Sequence, residues 1–96
     1  MIASLRGSII SKTEEGIVIE VGGLGYEVFL CEASLRNLGP EGGEAYVLTA
    51  QSISMYGGAA LYGFLTREEK DLFDLFRDAV PNTGAKKALD NRNKPY

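Results

Sequence analysis

The chain has no histidine, no tryptophan and only one cysteine, Cys31. Without histidine, a Cys/His zinc site and a histidine-based catalytic triad are excluded. A lone cysteine cannot form an intramolecular disulfide. We expect Cys31 to be a small apolar side chain at a strand end rather than a reactive thiol, because its neighbour Glu32 would repel a thiolate. We expect no metal ion and no other cofactor.

Long hydrophobic runs are also missing, since no apolar stretch approaches the length that spans a bilayer. The N-terminal residues show no basic segment followed by an apolar stretch and a cleavage site. We therefore expect a cytoplasmic protein that does not contact membranes. With 96 residues, 45% of them hydrophobic and 24% charged, the chain has the composition of one globular domain, or of one domain and part of a second.

Positive charge is scarce in most of the chain. Residues 1–64 contain three basic and seven acidic side chains, a net charge of −4, whereas residues 65–96 contain seven and six, a net charge of +1. The basic residues cluster after Val80, where Lys86, Lys87, Arg92 and Lys94 stand against Asp90 alone. Attraction for phosphate is thus expected in this tail, and the alternative is a solvated terminus that binds nothing.

Residues 1–64 contain five segments with the apolar alternation of strands, separated by turn-forming residues, and one short helical segment. The most informative turn lies between Ile19 and Phe29, where three glycines connect two apolar strands as in a tight hairpin. Gly7 predicts a bulge or bend in the first strand. The predicted strands are Met1–Lys12, Ile17–Val21, Tyr26–Leu30, Glu44–Tyr56 and Ala59–Phe64, and the predicted helix is Ala33–Leu38 with Ser34 as its cap.

This order of strand, strand, strand, helix, strand, strand indicates a mainly β fold, a five-stranded OB-type barrel in which Gly7 lets one strand serve both sheets. An SH3-like barrel is the nearest alternative. Five rings, Tyr26, Phe29, Tyr46, Tyr56 and Tyr62, could stack on bases if this barrel bound single strands. Because the same region is acidic, we expect most of them to serve core packing or subunit contact instead.

A longer helix follows the barrel. Thr66 and Glu69 have the spacing of a capping box, in which the threonine hydroxyl binds the amide of Glu69 and the glutamate reaches back. Leu72, Phe73, Phe76 and Ala79 then form one apolar stripe, which faces either the core or a partner, and Pro81 ends the pattern.

The segment Val80–Leu89 contains a glycine turn followed by a second helical pattern that starts near Gly84. Free backbone amides at that helix start, with Lys86 and Lys87 beside them, would bind phosphate as one helix-hairpin-helix does. Such contacts ignore base identity, so the binding would not depend on sequence. From these residues alone, an ordinary helix end and loop is the favoured alternative.

Four segments together resemble the N-terminal half of the RuvA family, the bacterial Holliday-junction-binding subunit of the RuvAB branch-migration machine. They are Met1-Ile2 with Leu5-Arg6-Gly7, the stretch VGGLGYEV at 21–28, Leu61-Tyr62-Gly63-Phe64, and Glu69 with Leu72-Phe73. The resemblance implies an OB-fold domain that assembles as a homotetramer, a helical domain with two helix-hairpin-helix motifs that grip junction arms, and a third domain that recruits the RuvB ATPase. It implies four-way junction DNA as the partner.

Two departures from the family pattern bear on the site. The loop between the last two barrel strands carries acidic residues at the junction centre in the family, whereas Ser54–Ala59 has no carboxylate here. Strand separation by charge is then not expected, although Met55 or Tyr56, beside Gly57 and Gly58, could act as a steric wedge. The first hairpin usually reads Gly-Val-Gly-Pro-Lys, and here it reads Asn82, Thr83, Gly84, Ala85 and Lys86. Asparagine tolerates the left-handed conformation, so this turn can survive.

The resulting hypothesis has two parts. Residues 1–64 form an OB-fold barrel that oligomerises and faces the junction, and residues 65–96 begin a helix-hairpin-helix domain whose end is disordered. The chain acts as a non-catalytic subunit, with phosphate held by Asn82, Thr83, Gly84, Ala85, Lys86 and Lys87. The sequence ends at Tyr96, ahead of a second hairpin or a RuvB-docking domain, so we expect either a shortened relative or part of a longer protein. The alternative is an OB-fold oligomerisation scaffold that does not bind DNA by itself.

Overall fold

The computed structural model describes residues 1–54 and 58–79, which form a β-barrel followed by a helix. The strands are β1 (Ser4–Lys12), β2 (Gly16–Val21), β3 (Leu24–Phe29), β4 (Glu44–Ser54) and β5 (Gly58–Phe64). The short helix α1 (Glu32–Asn37) lies between β3 and β4, and the longer helix α2 (Arg67–Ala79) follows β5.

The five strands close into a barrel in the order β1-β2-β3-β5-β4. All neighbours are antiparallel except β3 and β5, which pair in parallel through Val28 with Leu61 and Phe29 with Tyr62. This is the OB-fold arrangement, so the predicted fold class is confirmed and the SH3-like alternative is not.

The β2–β3 hairpin turns at the glycines that the sequence singled out. Val21 pairs with Leu24, and the two residues between them, Gly22 and Gly23, have φ angles of 58° and 86°. Positive φ at both central positions is the requirement of a type I′ turn, which only glycine, asparagine and aspartate meet readily. The tight hairpin is therefore confirmed.

Gly7 lies in β1 close against the backbone of β2. A Cβ atom added there would be 2.0 Å from the carbonyl oxygen of Glu20, so no side chain fits. The register irregularity of β1 lies elsewhere, between Ile9 and Ser11, so the bulge predicted at Gly7 was misplaced. Gly7 instead permits the close strand contact that lets β1 pair with β2 on one side and with β4 on the other.

Two apolar clusters fill the molecule. The larger lies inside the barrel and is built mainly from alternate residues of the strands: Leu5, Ile9, Ile17, Ile19, Val28, Leu30, Leu35, Ala45, Val47 and Leu61. The smaller joins the barrel to α2 and consists of Cys31, Ala50, Tyr62, Phe64 and Phe73. Cys31 is buried with a free thiol, which agrees with its predicted role as a small apolar residue.

The start of α1 differs from the prediction. The helix begins at Glu32, one residue early, with Cys31 at its N-cap position and no side-chain cap. Ser34 is inside the helix and only 2% exposed, with its hydroxyl 3.4 Å from the Cys31 sulfur. The predicted cap at Ser34 was therefore wrong, because burial of this face against the barrel sets where α1 begins.

Candidate nucleic-acid interface

The β4–β5 hairpin carries the loop that the family resemblance predicts to face the junction centre. Its strands pair without interruption from Leu48 and Phe64 to Ser54 and Gly58. Gly58 is thus the first residue of β5, and β4 is described as far as Ser54, so its predicted end at Tyr56 lies outside the described residues. The other candidate loop residues, Met55, Tyr56 and Gly57, lie outside the described residues. Both arms that support the loop are nevertheless fixed in the barrel wall.

Helix α2 begins at the predicted cap. The backbone amide of Glu69 donates to the Thr66 hydroxyl over 3.2 Å, and that hydroxyl donates to the Glu69 carboxylate over 3.1 Å. The first of these bonds satisfies one of the amides that every helix N-terminus leaves open. The glutamate contacts the threonine side chain, a variation on the predicted reciprocal box. The helix start is confirmed.

A single ring anchors α2 on the barrel. Phe73 is fully buried, with its ring centroid 5.0 Å from that of Phe64 and 5.6 Å from that of Tyr62. Phe76 packs against the same cluster from a half-buried position. Leu72, which the stripe also placed in the core or at a partner, is 43% exposed. The side chain of Ala79 lies outside the description.

The anchored helix sets the direction in which the chain leaves the barrel toward the candidate phosphate-binding residues. These residues, Asn82, Thr83, Gly84, Ala85, Lys86 and Lys87, all follow Ala79 and lie outside the described residues. Their part in a phosphate site stays a prediction. The structure shows α2 packed on the barrel, and this helix is described up to Ala79, three residues before Asn82.

The surface charge of the barrel disfavours phosphate binding. All seven carboxylates of residues 1–64 are exposed, whereas two of the three cations are already occupied. Arg36 pairs with Glu32 over 3.0 Å within α1. The Lys12 ammonium donates to the carbonyl oxygens of Leu38 and Gly39, each over 3.4 Å. This region therefore lacks the cationic groove that nucleic acid binding requires.

The third barrel cation is placed differently. The guanidinium of Arg6 lies 4.8 Å from the centre of the Tyr46 ring, a cation–π contact between two residues that are paired directly across β1 and β4. Sequence reasoning missed this pair, because the two residues are 40 positions apart and only the strand register brings them together. The alternation of exposed residues along β1 was the one available signal.

The barrel rings mostly serve packing, as the acidic charge predicted. Tyr62 is buried and its ring lies 5.7 Å from that of Phe29, which is half-buried like Tyr26. Among the described tyrosines of the barrel, Tyr46 is the exception, being 46% exposed. Base stacking on a row of aromatic side chains is therefore not available in the described part of the barrel.

Two further observations concern metal sites and membrane-spanning helices among the described residues. Within 1–54 and 58–79, no three Asp, Glu or Cys side chains come together as a potential metal site. Neither helix in this part of the chain is long and apolar enough to cross a membrane.

The barrel corresponds to a known family. Residues 1–63 match the family model of the RuvA N terminal domain, which covers more than half of the chain. The chain belongs to the RuvA family. RuvA proteins are also its relatives over nearly the whole length, including α2 and the tail after it.

Three relatives illustrate the similarity, and each is named Holliday junction branch migration complex subunit RuvA. The protein of Elusimicrobium minutum is 48% identical over 94 residues, which are 98% of this chain and 46% of the relative. The protein of Endomicrobium trichonymphae is 38% identical over 96 residues, 98% of this chain and 47% of the relative. The protein of Rubrobacter xylanophilus is 37% identical over 89 residues, 93% and 44% of the two chains. The chain thus spans about half the length of these RuvA relatives.

Proposed function

We propose that this chain is the junction-facing part of a RuvA-type subunit, which binds four-way junction DNA and supports ATP-driven branch migration in recombination and repair. The observation that carries the proposal is membership of the RuvA family, with relatives of that name aligned over 98% of the chain. The chain has no catalytic role of its own in this proposal. A RuvB-type ATPase supplies the chemical energy, and it docks on residues beyond those of this chain.

The two parts of the chain divide the work. Residues 1–64 form the barrel that assembles copies into a homotetramer and faces the junction. Residues 65–96 begin the helical domain that contacts DNA. Support for this division comes from α2, which leaves Leu72 43% exposed and Leu75 62% exposed. An apolar helix face of this kind is what the first helix of a further helical unit presents.

The phosphate contacts belong to the tail in this proposal. The barrel has a net charge of −4, and two of its three cations are held by Glu32 and by backbone carbonyls. Backbone amides at Asn82, Thr83, Gly84 and Ala85, with Lys86 and Lys87, then hold a phosphate in the manner of a helix start. Met55, Tyr56, Gly57 and Gly58 face the junction centre, where the uncharged side chains act by bulk.

The test is a titration of a fluorescent four-way junction and of a linear duplex with the same arm sequences, at two salt concentrations, followed by anisotropy. The proposal predicts tighter binding to the junction, with a shallow salt dependence of about one unit of slope per phosphate neutralised. The double variant Lys86→Ala, Lys87→Ala should lose this binding. Lys94→Ala is the matched control, because it removes a lysine from the same tail outside the hairpin and should bind as the unchanged chain does.

A second function is favoured by the exposed carboxylates of the acidic barrel: an oligomerisation scaffold that leaves DNA binding to residues beyond this chain. The same titration separates the two. Assembly in solution with no binding to either DNA would refute DNA binding by this chain and support the scaffold. Equal affinity for junction and duplex would refute junction recognition.

A further inference from the structure

The first part of β3 has a strand on one side only. β3 pairs with β2 along its whole length, whereas its pairing with β5 is confined to Val28 and Phe29. β5 extends back to Gly58, but among the described residues none before Leu61 pairs with β3. The two strands therefore separate toward the β2–β3 turn. We call residues 24–27 of β3 the open edge.

The register of the β2–β3 hairpin determines which backbone groups the open edge presents. A two-residue turn is closed by a hydrogen-bonded pair, here Val21 with Leu24, and such pairs alternate with non-hydrogen-bonded pairs along an antiparallel ladder. Leu24 and every second residue after it thus direct their N–H and C=O groups to β2. Gly25 and Glu27 direct theirs away from β2, where no strand of the described residues pairs with them. Two donors and two acceptors are therefore open to a partner.

The outer face of the open edge is acidic. Glu27 is exposed, and the exposed Glu20 of β2 lies directly opposite Gly25, which makes the two glutamates diagonal neighbours on one face. Residues 16–30 contain no lysine and no arginine. Neither glutamate forms an ion pair within the described part of the chain. A strand that pairs with this edge is accordingly favoured if its outward side chains are basic.

The inner face of the open edge is apolar. Leu24 and Tyr26 lie on this face, because successive side chains of a strand alternate between its two sides. Tyr26 packs against the main cluster inside the barrel, whereas Leu24 is 61% exposed. An added strand with apolar side chains on this face would cover Leu24 and extend the cluster.

Charge also decides against two other occupants of the open edge. DNA is disfavoured because its phosphates would lie beside Glu20 and Glu27. A second copy that pairs through the same edge is disfavoured because it would bring the glutamates of both copies together, and like charges on neighbouring strands destabilise a sheet. A basic segment of another protein meets neither obstacle.

We propose that the open edge binds an extended segment of a partner protein as an added strand, in which basic and apolar residues alternate. Backbone bonds to Gly25 and Glu27 give the contact its affinity, and the alternating side chains give it specificity. The basic residues lie beside Glu20 and Glu27, and the apolar residues cover Leu24. This inference goes beyond the proposed function and does not depend on junction binding.

The first test is amide hydrogen exchange of the whole chain, followed by NMR. In the free chain, the amides of Gly25 and Glu27 should exchange much faster than that of Tyr26, which is bonded to β2. The probe is a capped peptide of about eight residues in which lysine alternates with valine. When about nine-tenths of the chain is bound, exchange at Gly25 and Glu27 should slow about tenfold, because it then proceeds through the free tenth. A peptide with glutamate in place of lysine should leave both amides unchanged.

Variants of the open edge form the second test, with peptide affinity measured by fluorescence anisotropy. Gly25→Pro should weaken binding about tenfold, because it removes an outward N–H while the bonds to β2 are kept. Gly25→Ala is its matched control, since it keeps this N–H and its Cβ would lie 3.4 Å from the Val18 side chain, an ordinary contact. Its affinity should be unchanged.

The charge of the edge is tested in the same assay. Glu27→Lys should weaken peptide binding about fivefold, as expected for reversal of one exposed charge. Glu14→Lys is the matched control, because it makes the same change of charge in the turn before β2, at the opposite end of the hairpin. Its affinity should stay close to that of the unchanged chain.

Circular dichroism verifies that each variant is folded, and hydrogen exchange of the unchanged chain decides the matter if Gly25→Pro is not. The proposal is overturned if Gly25 and Glu27 are already protected in the free chain, because the edge is then covered by another segment or a second copy. It is also overturned if the lysine peptide binds without slowing these amides, or if Gly25→Pro and Gly25→Ala bind it equally. Equal effects of Glu27→Lys and Glu14→Lys would overturn it as well, since net charge would then be the cause.

Discussion

Replacing Phe73 by alanine should release α2 from the barrel while the barrel stays folded. Phe73 is fully buried against Phe64 and Tyr62, at ring distances of 5.0 and 5.6 Å, and Phe76 adds a half-buried contact. Loss of a buried phenylalanine costs about 3–5 kcal/mol. A chain of this length has roughly 5–14 kcal/mol of stability in total. The loss is local, because the main cluster inside the barrel contains neither residue of α2.

The released helix should melt, since an isolated helix of 13 residues is marginal in water. Urea unfolding followed by circular dichroism at the helical minimum should therefore lose helix signal before the β-barrel signal. Tyrosine fluorescence is a second probe, because the chain has no tryptophan and Tyr62 lies against Phe73. We expect Phe73→Ala to alter Tyr62 emission in the absence of urea.

Leu72→Ala is the control for this experiment. Leu72 is the neighbouring apolar residue of the same helix, but it is 43% exposed, so its removal should cost no more than about 0.5 kcal/mol. If Leu72→Ala and Phe73→Ala destabilise α2 equally, or if Phe73→Ala leaves one cooperative transition with full helix content, the anchoring role assigned to Phe73 is refuted.

Three other changes test the fold and the loop. Gly7→Ala should prevent a stable barrel or cost several kcal/mol, because its Cβ would lie 2.0 Å from the Glu20 oxygen, whereas Gly39→Ala, with open space around it, should leave the denaturant midpoint unchanged. Thr66→Ala should cost about 1 kcal/mol in urea unfolding through loss of the helix cap, and Thr66→Ser should retain most of it. Tyr56→Ala in a full-length RuvA-type subunit should reduce unpairing at the junction centre, measured by fluorescence of a base analogue there; unchanged unpairing would refute the wedge.

Local patterns predicted the elements that local chemistry determines. The β2–β3 hairpin follows from Gly22 and Gly23, whose positive φ angles no bulky residue would adopt readily. The start of α2 follows from Thr66 and Glu69, which are one helical turn apart. The prediction of a closed barrel, by contrast, required the order of all the elements along the chain and the family resemblance.

Features that depend on tertiary packing were not predictable. Leu72 and Phe73 are adjacent in one apolar stripe, and only the way α2 docks decides that Phe73 is buried and Leu72 exposed. Ser34 has the chemistry of a cap, but its burial against the barrel moves the helix start to Glu32. For the candidate site, the motif at Gly84 was enough to predict which residues bind phosphate. The position of α2, the helix that precedes these residues, could not be predicted, because it depends on how α2 packs on the barrel.

The parallel contact between β3 and β5 has a consequence for how the chain folds. It joins Val28 to Leu61, whereas the ladders of β1 with β2 and of β2 with β3 connect near neighbours in the sequence. Contacts between distant residues form slowly, because a long loop must close first. We therefore expect the first three strands to form an early meander and closure by β5 to be the late step. Docking of α2 comes later still, because Phe64 at the end of β5 forms part of the surface against which Phe73 of α2 packs. During synthesis, α2, which leads to the proposed phosphate-binding residues, is thus positioned only after the barrel has closed.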